Sequence, residues 1–328
     1  MRTESTILSL AIYLTDKCNL HCKHCFLKAS PRKAHGLDWN KVKTILKYYR
    51  RQNYQIVEFT GGEACLSPLL QKSVNLANKL NYPYIGINSN GITTKVIDSF
   101  NPTNIYKITY SLDGASPKTH DFIRGKGTYA KTMSTIKKSI SRGFRTEIIF
   151  TVNKVNQSEI KKVILLLDKI GVAKLSFNCI SPIGNANENP SLLITPQEWV
   201  KARKQIEKTK NLKNLTIRFP LMYATPSEFD HLVKDGYQCL LANSAKAEIH
   251  PDSHIYHCCL TIENPKISCG KVQDRTIIFD KSSEIRFLNH RSQSPCPARL
   301  DQTCDNFIPI CVYYKKVIQP SNLEKSSS

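Results

Sequence analysis

Hydrophobic positions along the first 220 residues switch repeatedly between two periods. Short apolar runs with strand character fall at 9–15, 55–60, 84–88, 105–112, 146–152 and 174–179. Between them lie longer stretches with helical spacing. In 38–52, Val42, Ile45, Leu46 and Tyr49 recur on one helical face. In 67–80, Pro68 suits a first turn. The stretches 128–142 and 157–170 are stopped by Gly143 and Gly171. Thr195 can cap a helix over 197–210, with Pro196 in its first turn. Six strand–helix units in succession predict a parallel sheet with crossover helices. Six are too few to close an eight-fold barrel, which leaves a partial barrel or an open doubly wound sheet. In either architecture, chemistry belongs at the C-terminal ends of the strands.

After about residue 222 the helical patterns fade, and Cys, His and Pro become dense. The expected division is a core over 1–222, a small Cys-rich unit over 223–318, and a polar, disordered tail over 319–328. No internal repeat is visible.

The chain has 328 residues, 41% of them hydrophobic, enough to bury a sizeable core. No stretch approaches the roughly 18 uninterrupted apolar residues of a membrane span. The apolar run at 7–14 follows Arg2 and Glu4 and ends in Thr15-Asp16-Lys17 without a small-residue cleavage site. It reads as a strand, not a signal peptide. Lys and Arg number 47 against 26 acidic residues, a net charge of +21. Such a surface attracts anions: nucleic acid, acidic peptide or phosphorylated small molecules. No basic block or aromatic-interleaved stripe stands out, which speaks against nucleic acid as the purpose. There are twelve cysteines. With no sign of export, a cytoplasmic chain keeps them reduced, so they point to metal or catalysis rather than disulfides.

Three of these cysteines form Cys18-x3-Cys22-x2-Cys25, in the loop after the first strand. Three thiolates in eight residues can hold one face of an iron–sulfur cube. The fourth iron is then open to a small molecule. A zinc loop is the alternative, but structural zinc prefers four protein ligands, and only His21 and His24 are nearby candidates for a fourth. After the second strand comes Gly61-Gly62-Glu63. Two glycines permit close backbone approach, and Glu63 can accept from an ammonium group. An ordinary strand-to-helix turn is the alternative.

Taken together, the two motifs resemble the radical S-adenosylmethionine (SAM) superfamily, whose marks are CxxxCxφC after the first strand and GGE after the second. His24 stands here at the aromatic-type position φ. The resemblance covers about residues 5–220 and implies a partial (β/α)6 TIM-like barrel. It also implies the cofactors, a [4Fe–4S] cluster and SAM. SAM would chelate the open iron, and an electron from the cluster would cleave it to a 5′-deoxyadenosyl radical that abstracts a hydrogen atom from the substrate. A flavodoxin- or ferredoxin-type protein would supply the electron. Further SAM contacts are implied at Gly61, Gly62, Glu63, Ser89, Asn90, Ser111, Asp113 and Arg124. For each of these a turn-forming role is the alternative.

The run from Ser111 to Gly125 resembles the branch that carries SPASM or twitch extensions. The C-terminal pattern agrees. Cys239 is followed by His250-Pro-Asp-Ser-His-Ile-Tyr-His-Cys258, with Ser253 where the branch has Gly. The implied auxiliary [4Fe–4S] cluster would be held by Cys239, Cys258 and two of Cys296, Cys304 and Cys311. A zinc knuckle is the alternative. Cys259 adjoins a ligand position and resembles the hydrogen-atom donor of peptide epimerases. A buried thiol, or a ligand in exchange with Cys258, is its alternative. The branch often modifies peptides, so the expected substrate is a ribosomally synthesised peptide, to be epimerised, cross-linked or similarly matured. A small molecule such as a sugar, nucleoside, tetrapyrrole or cofactor precursor is the second expectation. A non-catalytic metal- or nucleic-acid-binding module is the third. Because only 17 residues precede Cys18, a peptide substrate is expected to need either a separate leader-peptide-binding protein or direct binding to the basic surface. No membrane partner is expected.

Overall fold

The computed structural model describes residues 8–28, 35–93, 95–209, 211–220, 222–235, 237–239, 246–257, 268–280, 282, 308–309 and 314–316. Strands β1 (Ser9–Tyr13), β2 (Ile56–Thr60), β3 (Tyr84–Ser89), β4 (Lys107–Ser111), β5 (Thr146–Val152) and β6 (Lys174–Cys179) follow one another in sheet order, all parallel. Helices α1 (Trp39–Arg51), α2 (Leu70–Lys79), α3 (Lys95–Asp98), α4 (Pro117–Arg124), α5 (Thr128–Ser141), α6 (Ile160–Lys169), α7 (Asn185–Glu188) and α8 (Pro196–Glu207) connect and follow them. This is the partial TIM-like barrel. A short β7 (Thr216–Arg218) adds to β6. After β8 (Tyr223–Ala224), α9 (Pro226–Lys234) and β9 (Tyr237–Cys239), the chain returns to the other edge. There β10 (Lys246–Ile249) pairs parallel with β1, and β11 (His254–Tyr256), β12 (Gly270–Gln273) and β13 (Thr276–Phe279) continue antiparallel. The sheet therefore runs across residue 222. Two short pairings complete the described chain, β14 (Ile308–Pro309) with β8 and β15 (Tyr314–Lys316) with β9.

Local sequence accounts for most of these elements. Asp38 caps α1 by accepting from the Lys41 amide, and Val42, Ile45, Leu46 and Tyr49 form its buried stripe. Thr195 and Glu198 make a reciprocal capping box on α8. Two readings shift. The helix expected from residue 67 starts at Leu70, because Glu63 caps a separate 3-10 turn, Ala64–Leu66. The short helix α4 was not expected from the pattern at all.

Alternation along the strands sorts their side chains. Leu10, Ile12, Val57, Phe59, Ile85, Ile87, Ile108, Tyr110, Ile148, Phe150, Leu175 and Phe177 all belong to the buried apolar core. The opposite face of the parallel strands is polar. In its lower part Lys107 bonds Glu58 Oε1 at 2.6 Å and lies 3.6 Å from Glu147 Oε2. The loops at the C-terminal ends meet above this face.

Candidate cofactor site at the strand ends

The loop that follows β1 carries all three cysteines of the first motif. Cys18 and Cys22 are buried, Cys25 is half-buried, and all three are free thiols. The ends of β2, β3, β4 and β6 hold this loop. From β2, the Gly62 amide donates to Thr15 O at 2.7 Å and the Glu63 amide to Lys17 O at 2.9 Å. A Cβ on Gly61 would lie 2.4 Å from Thr15 O, and one on Gly62 would lie 2.5 Å from Lys17 O. The close approach that these glycines permit is thus to the cysteine loop's own backbone.

Glu63 is 1% exposed. Its Oε1 accepts from the Cys65 amide at 3.0 Å and its Oε2 from the Asn90 amide at 2.7 Å. Burial pushes its carboxyl up despite these bonds. Glu63→Gln leaves one of the two buried amides facing an NH2 group. It should lower stability by about 1–3 kcal/mol in denaturant unfolding; unchanged unfolding would remove this bracing role.

From β3, Asn90 Nδ2 donates to Asn19 Oδ1 at 2.7 Å and points at Cys18 Sγ at 3.7 Å. Ser89 turns inward. Its hydroxyl accepts from the Gly91 amide at 3.1 Å and from the Cys65 thiol at 3.6 Å. Ser111, half-buried, ends β4. Two residues on, Asp113 is wholly buried. Its carboxylate takes the Arg124 Nε–H, the Thr151 amide at 2.7 Å and His24 Nε2 at 3.2 Å. Burial alone would raise that carboxyl; the Arg124 guanidinium and His24 outweigh it and hold it well below the usual carboxylate range. Arg124 Nη1 lies 3.9 Å from Cys22 Sγ.

The loop after β6 supplies the fourth hold. The Asn185 amide donates to Cys25 O, and its side chain donates to Cys22 O, both at 2.9 Å. Asn189 Nδ2 reaches Lys23 O at 3.2 Å. Gly184 packs so closely that a Cβ would sit 2.3 Å from Cys25 O.

Burial pushes the Cys18 thiol up to about 11 and the Cys22 thiol to about 12. Arg124 pulls Cys22 down, while the neighbouring cysteines raise both thiols further. Metal binding would have to displace these protons, since the thiolate is the ligand. Among the described residues no three His, Cys, Asp or Glu side chains group tightly enough to share one ion. A cube asks for something else, one thiolate on each of three irons. Donors already face the sulfurs: the Leu20 amide at 3.4 Å and Asn90 Nδ2 on Cys18, and Arg124 on Cys22. Such contacts suit charged cluster sulfurs, so the residues fit a [4Fe–4S] cluster.

Sequence reasoning missed several members of this site. Asn185 and Asn189 act by side-chain contacts to remote backbone, and Asn19 by contacts to the side chains of Asn90 and Thr93, which no local spacing announces. Asn156 donates to Asp113 O at 3.1 Å. Tyr13 and Glu248 meet across β1 and β10, with Tyr13 OH donating to Glu248 Oε2 at 3.0 Å, and His250 stacks on Tyr13 at 3.9 Å between ring centres. In the PDS stretch Ser253 takes φ +72, a conformation glycine adopts more readily. Cys258, Cys259, Cys296, Cys304 and Cys311 lie outside the described residues. Cys239 is placed only as the end of β9.

Residues 12–167, just under half of the chain, match the Radical SAM superfamily. The cofactors this match implies are a SAM-binding [4Fe–4S] cluster and SAM. Among similar proteins is the antilisterial bacteriocin subtilosin biosynthesis protein AlbA of Bacillus subtilis, 26% identical over 180 residues, covering 53% of this chain and 40% of AlbA. An AdoMet-dependent heme synthase of Oleidesulfovibrio alaskensis is 26% identical over 194 residues, covering 58% of this chain and 50% of the synthase. The chain thus spans about half the length of these curated relatives. Streptococcus suis SuiB, solved bound to its precursor peptide SuiA, shares the fold with a TM-score of 0.65 at 16% identity, covering 86% of this chain and 64% of SuiB. Among the described residues no helix is long and apolar enough to cross a membrane.

Proposed function

We propose that the chain is a radical SAM enzyme acting on a ribosomally synthesised peptide. The observation that carries the chemistry is the three-cysteine loop fastened to four strand ends at the barrel mouth. When bound, the cluster and SAM supply a 5′-deoxyadenosyl radical that takes a hydrogen atom from the substrate. Cys18, Cys22 and Cys25 would hold three irons of that cluster. Arg124, with Nη2 beyond the contacts it makes to Asp113 and Cys22, is the cation for the SAM carboxylate. Ser111 sits at the same rim. Glu63, which already braces two amides, is the acceptor for the methionine ammonium group. Gly61 and Gly62 serve SAM by holding the loop, and Ser89 and Asn90 by shaping the turn beneath it.

Peptide as substrate is supported by the bacteriocin role in AlbA's name and by the precursor peptide bound to SuiB. The heme synthase match favours the second reading, a small molecule such as a tetrapyrrole. A short precursor peptide encoded beside this chain, turned over by the reconstituted enzyme, decides for the first reading; turnover of a small molecule and not of the peptide decides for the second. A flavodoxin- or ferredoxin-type donor and a separate leader-binding protein complete the proposed system. The cytoplasm, where thiols stay reduced, is its proposed place.

We also place one auxiliary [4Fe–4S] cluster on Cys239, Cys258 and two of Cys296, Cys304 and Cys311. A Cys18/Cys22/Cys25→Ala variant should then retain about four irons per chain, one cube on four thiolates. Zinc in their stead would remove the auxiliary cluster. Cys259, if free of iron, returns a hydrogen atom to the substrate radical. Cys259→Ala should still cleave SAM yet fail to place solvent deuterium on the product; full product yield would contradict the role.

A further inference from the structure

We propose that Asp113 is the positioning residue of the cluster loop: through His24 it fastens the loop to the barrel, and through Arg124 it sets the charge beside the Cys22 sulfur. This rests on the reading of Cys18, Cys22 and Cys25 as cluster ligands. The family motif has an aromatic-type residue before its last cysteine. Here that residue is His24, and its Nε2 lies 3.2 Å from Asp113 Oδ2. A hydrocarbon ring could not make that contact.

Asp113 is 0% exposed. Its carboxylate receives Arg124, His24 and the Thr151 amide, and its own amide donates to His120 Nδ1 at 3.1 Å. Its carbonyl accepts from Asn156 Nδ2 at 3.1 Å. One residue thus joins the cysteine loop, α4, β5 and the turn after β5. With its carboxylate so engaged, Asp113 acts through the groups it holds. The more important of these is Arg124, whose Nη1 is 3.9 Å from Cys22 Sγ with a side chain only 10% exposed.

Paired with Asp113, the guanidinium contributes no net charge beside the cluster. Reduction adds an electron to the cluster, so a nearby unpaired cation favours the reduced form and an unpaired anion opposes it. Burial keeps that interaction from being screened. Two substitutions should therefore act with opposite sign. Asp113→Asn leaves the guanidinium uncompensated. Arg124→Gln leaves the carboxylate uncompensated. His24→Phe preserves the pair and removes only the tie to the loop.

The test uses the full-length, anaerobically reconstituted protein and the EPR signal of the reduced cluster that is absent from the Cys18/Cys22/Cys25→Ala variant. Asp113→Asn is expected to move the midpoint potential of that signal in the positive direction, and Arg124→Gln in the negative direction. His24→Phe is expected to keep the wild-type potential while a ferrous chelator strips the cluster several-fold faster. Shifts of the same sign, no shift in either variant, or wild-type stripping in His24→Phe would overturn the proposal. If Asp113→Asn does not load, the Arg124→Gln potential and the His24→Phe stripping rate decide. A wild-type protein with no such signal would instead overturn the cluster reading beneath it.

Discussion

Alanine at Gly62 or at Gly184 should empty the three-cysteine site while the barrel stays folded. A Cβ at Gly62 would meet Lys17 O at 2.5 Å and Asp16 O at 2.6 Å. A Cβ at Gly184 would meet Cys25 O at 2.3 Å and Phe26 O at 2.6 Å. These are backbone atoms and cannot swing aside as a side chain would. Overpacking of this kind costs about 1–3 kcal/mol. Gly184 also has φ +61, which adds about 1–2 kcal/mol for an L residue. Moving the loop is the alternative, and it breaks the amide bonds that set Cys18 and Cys25. The apolar core lies on the other face of the strands and is untouched. Expected, then, are wild-type far-UV circular dichroism and iron content no higher than that of the triple cysteine variant. Full iron loading in Gly62→Ala and Gly184→Ala would show that the loop is not held as described.

Replacing Cys18, Cys22 and Cys25 together by Ala should abolish SAM cleavage outright. The three thiols are buried or half-buried among backbone amides, Asn90 and Arg124, and no other described Cys lies in this loop. Cys65, the next thiol along the chain, is turned toward Ser89. Alanine removes three sulfurs and leaves little strain, so loss of cleavage would report the ligands and not unfolding. Residual cleavage above about one part in a hundred of the wild type would point to a different ligand set; a hundredfold loss corresponds to only about 2.7 kcal/mol.

Much of this site was legible in the sequence, because its chemistry is written in local spacing. Cys18, Cys22 and Cys25 sit in one short loop, and Gly61-Gly62-Glu63 follows a recognisable strand. The strands themselves were legible because their apolar residues alternate, as Ile85 and Ile87 do about Gly86. What stayed hidden depends on contacts between distant segments. Asn185 lies 163 positions from Cys22, whose carbonyl it binds. The roles of the two glycines were legible only in part: their need for close approach was plain, but not that the partner is the cysteine loop. Helix α4 escaped because eight residues give too little periodicity, although Pro117 and Gly125 bracket it. The return of β10 to β1 escaped for a similar reason, since four residues, Lys246–Ile249, alternate charge with apolar side chains and only the tertiary register shows their partner.

The SAM-cleaving centre proposed for the loop from Cys18 to Cys25 can be probed by incubating the anaerobically reconstituted protein with dithionite and SAM and measuring 5′-deoxyadenosine by chromatography. The expected result is 5′-deoxyadenosine and methionine in equal amounts, with none from the Cys18/Cys22/Cys25→Ala variant. A wild-type protein that holds its iron and sulfide yet releases no 5′-deoxyadenosine, or a triple variant that releases as much as the wild type, would contradict it.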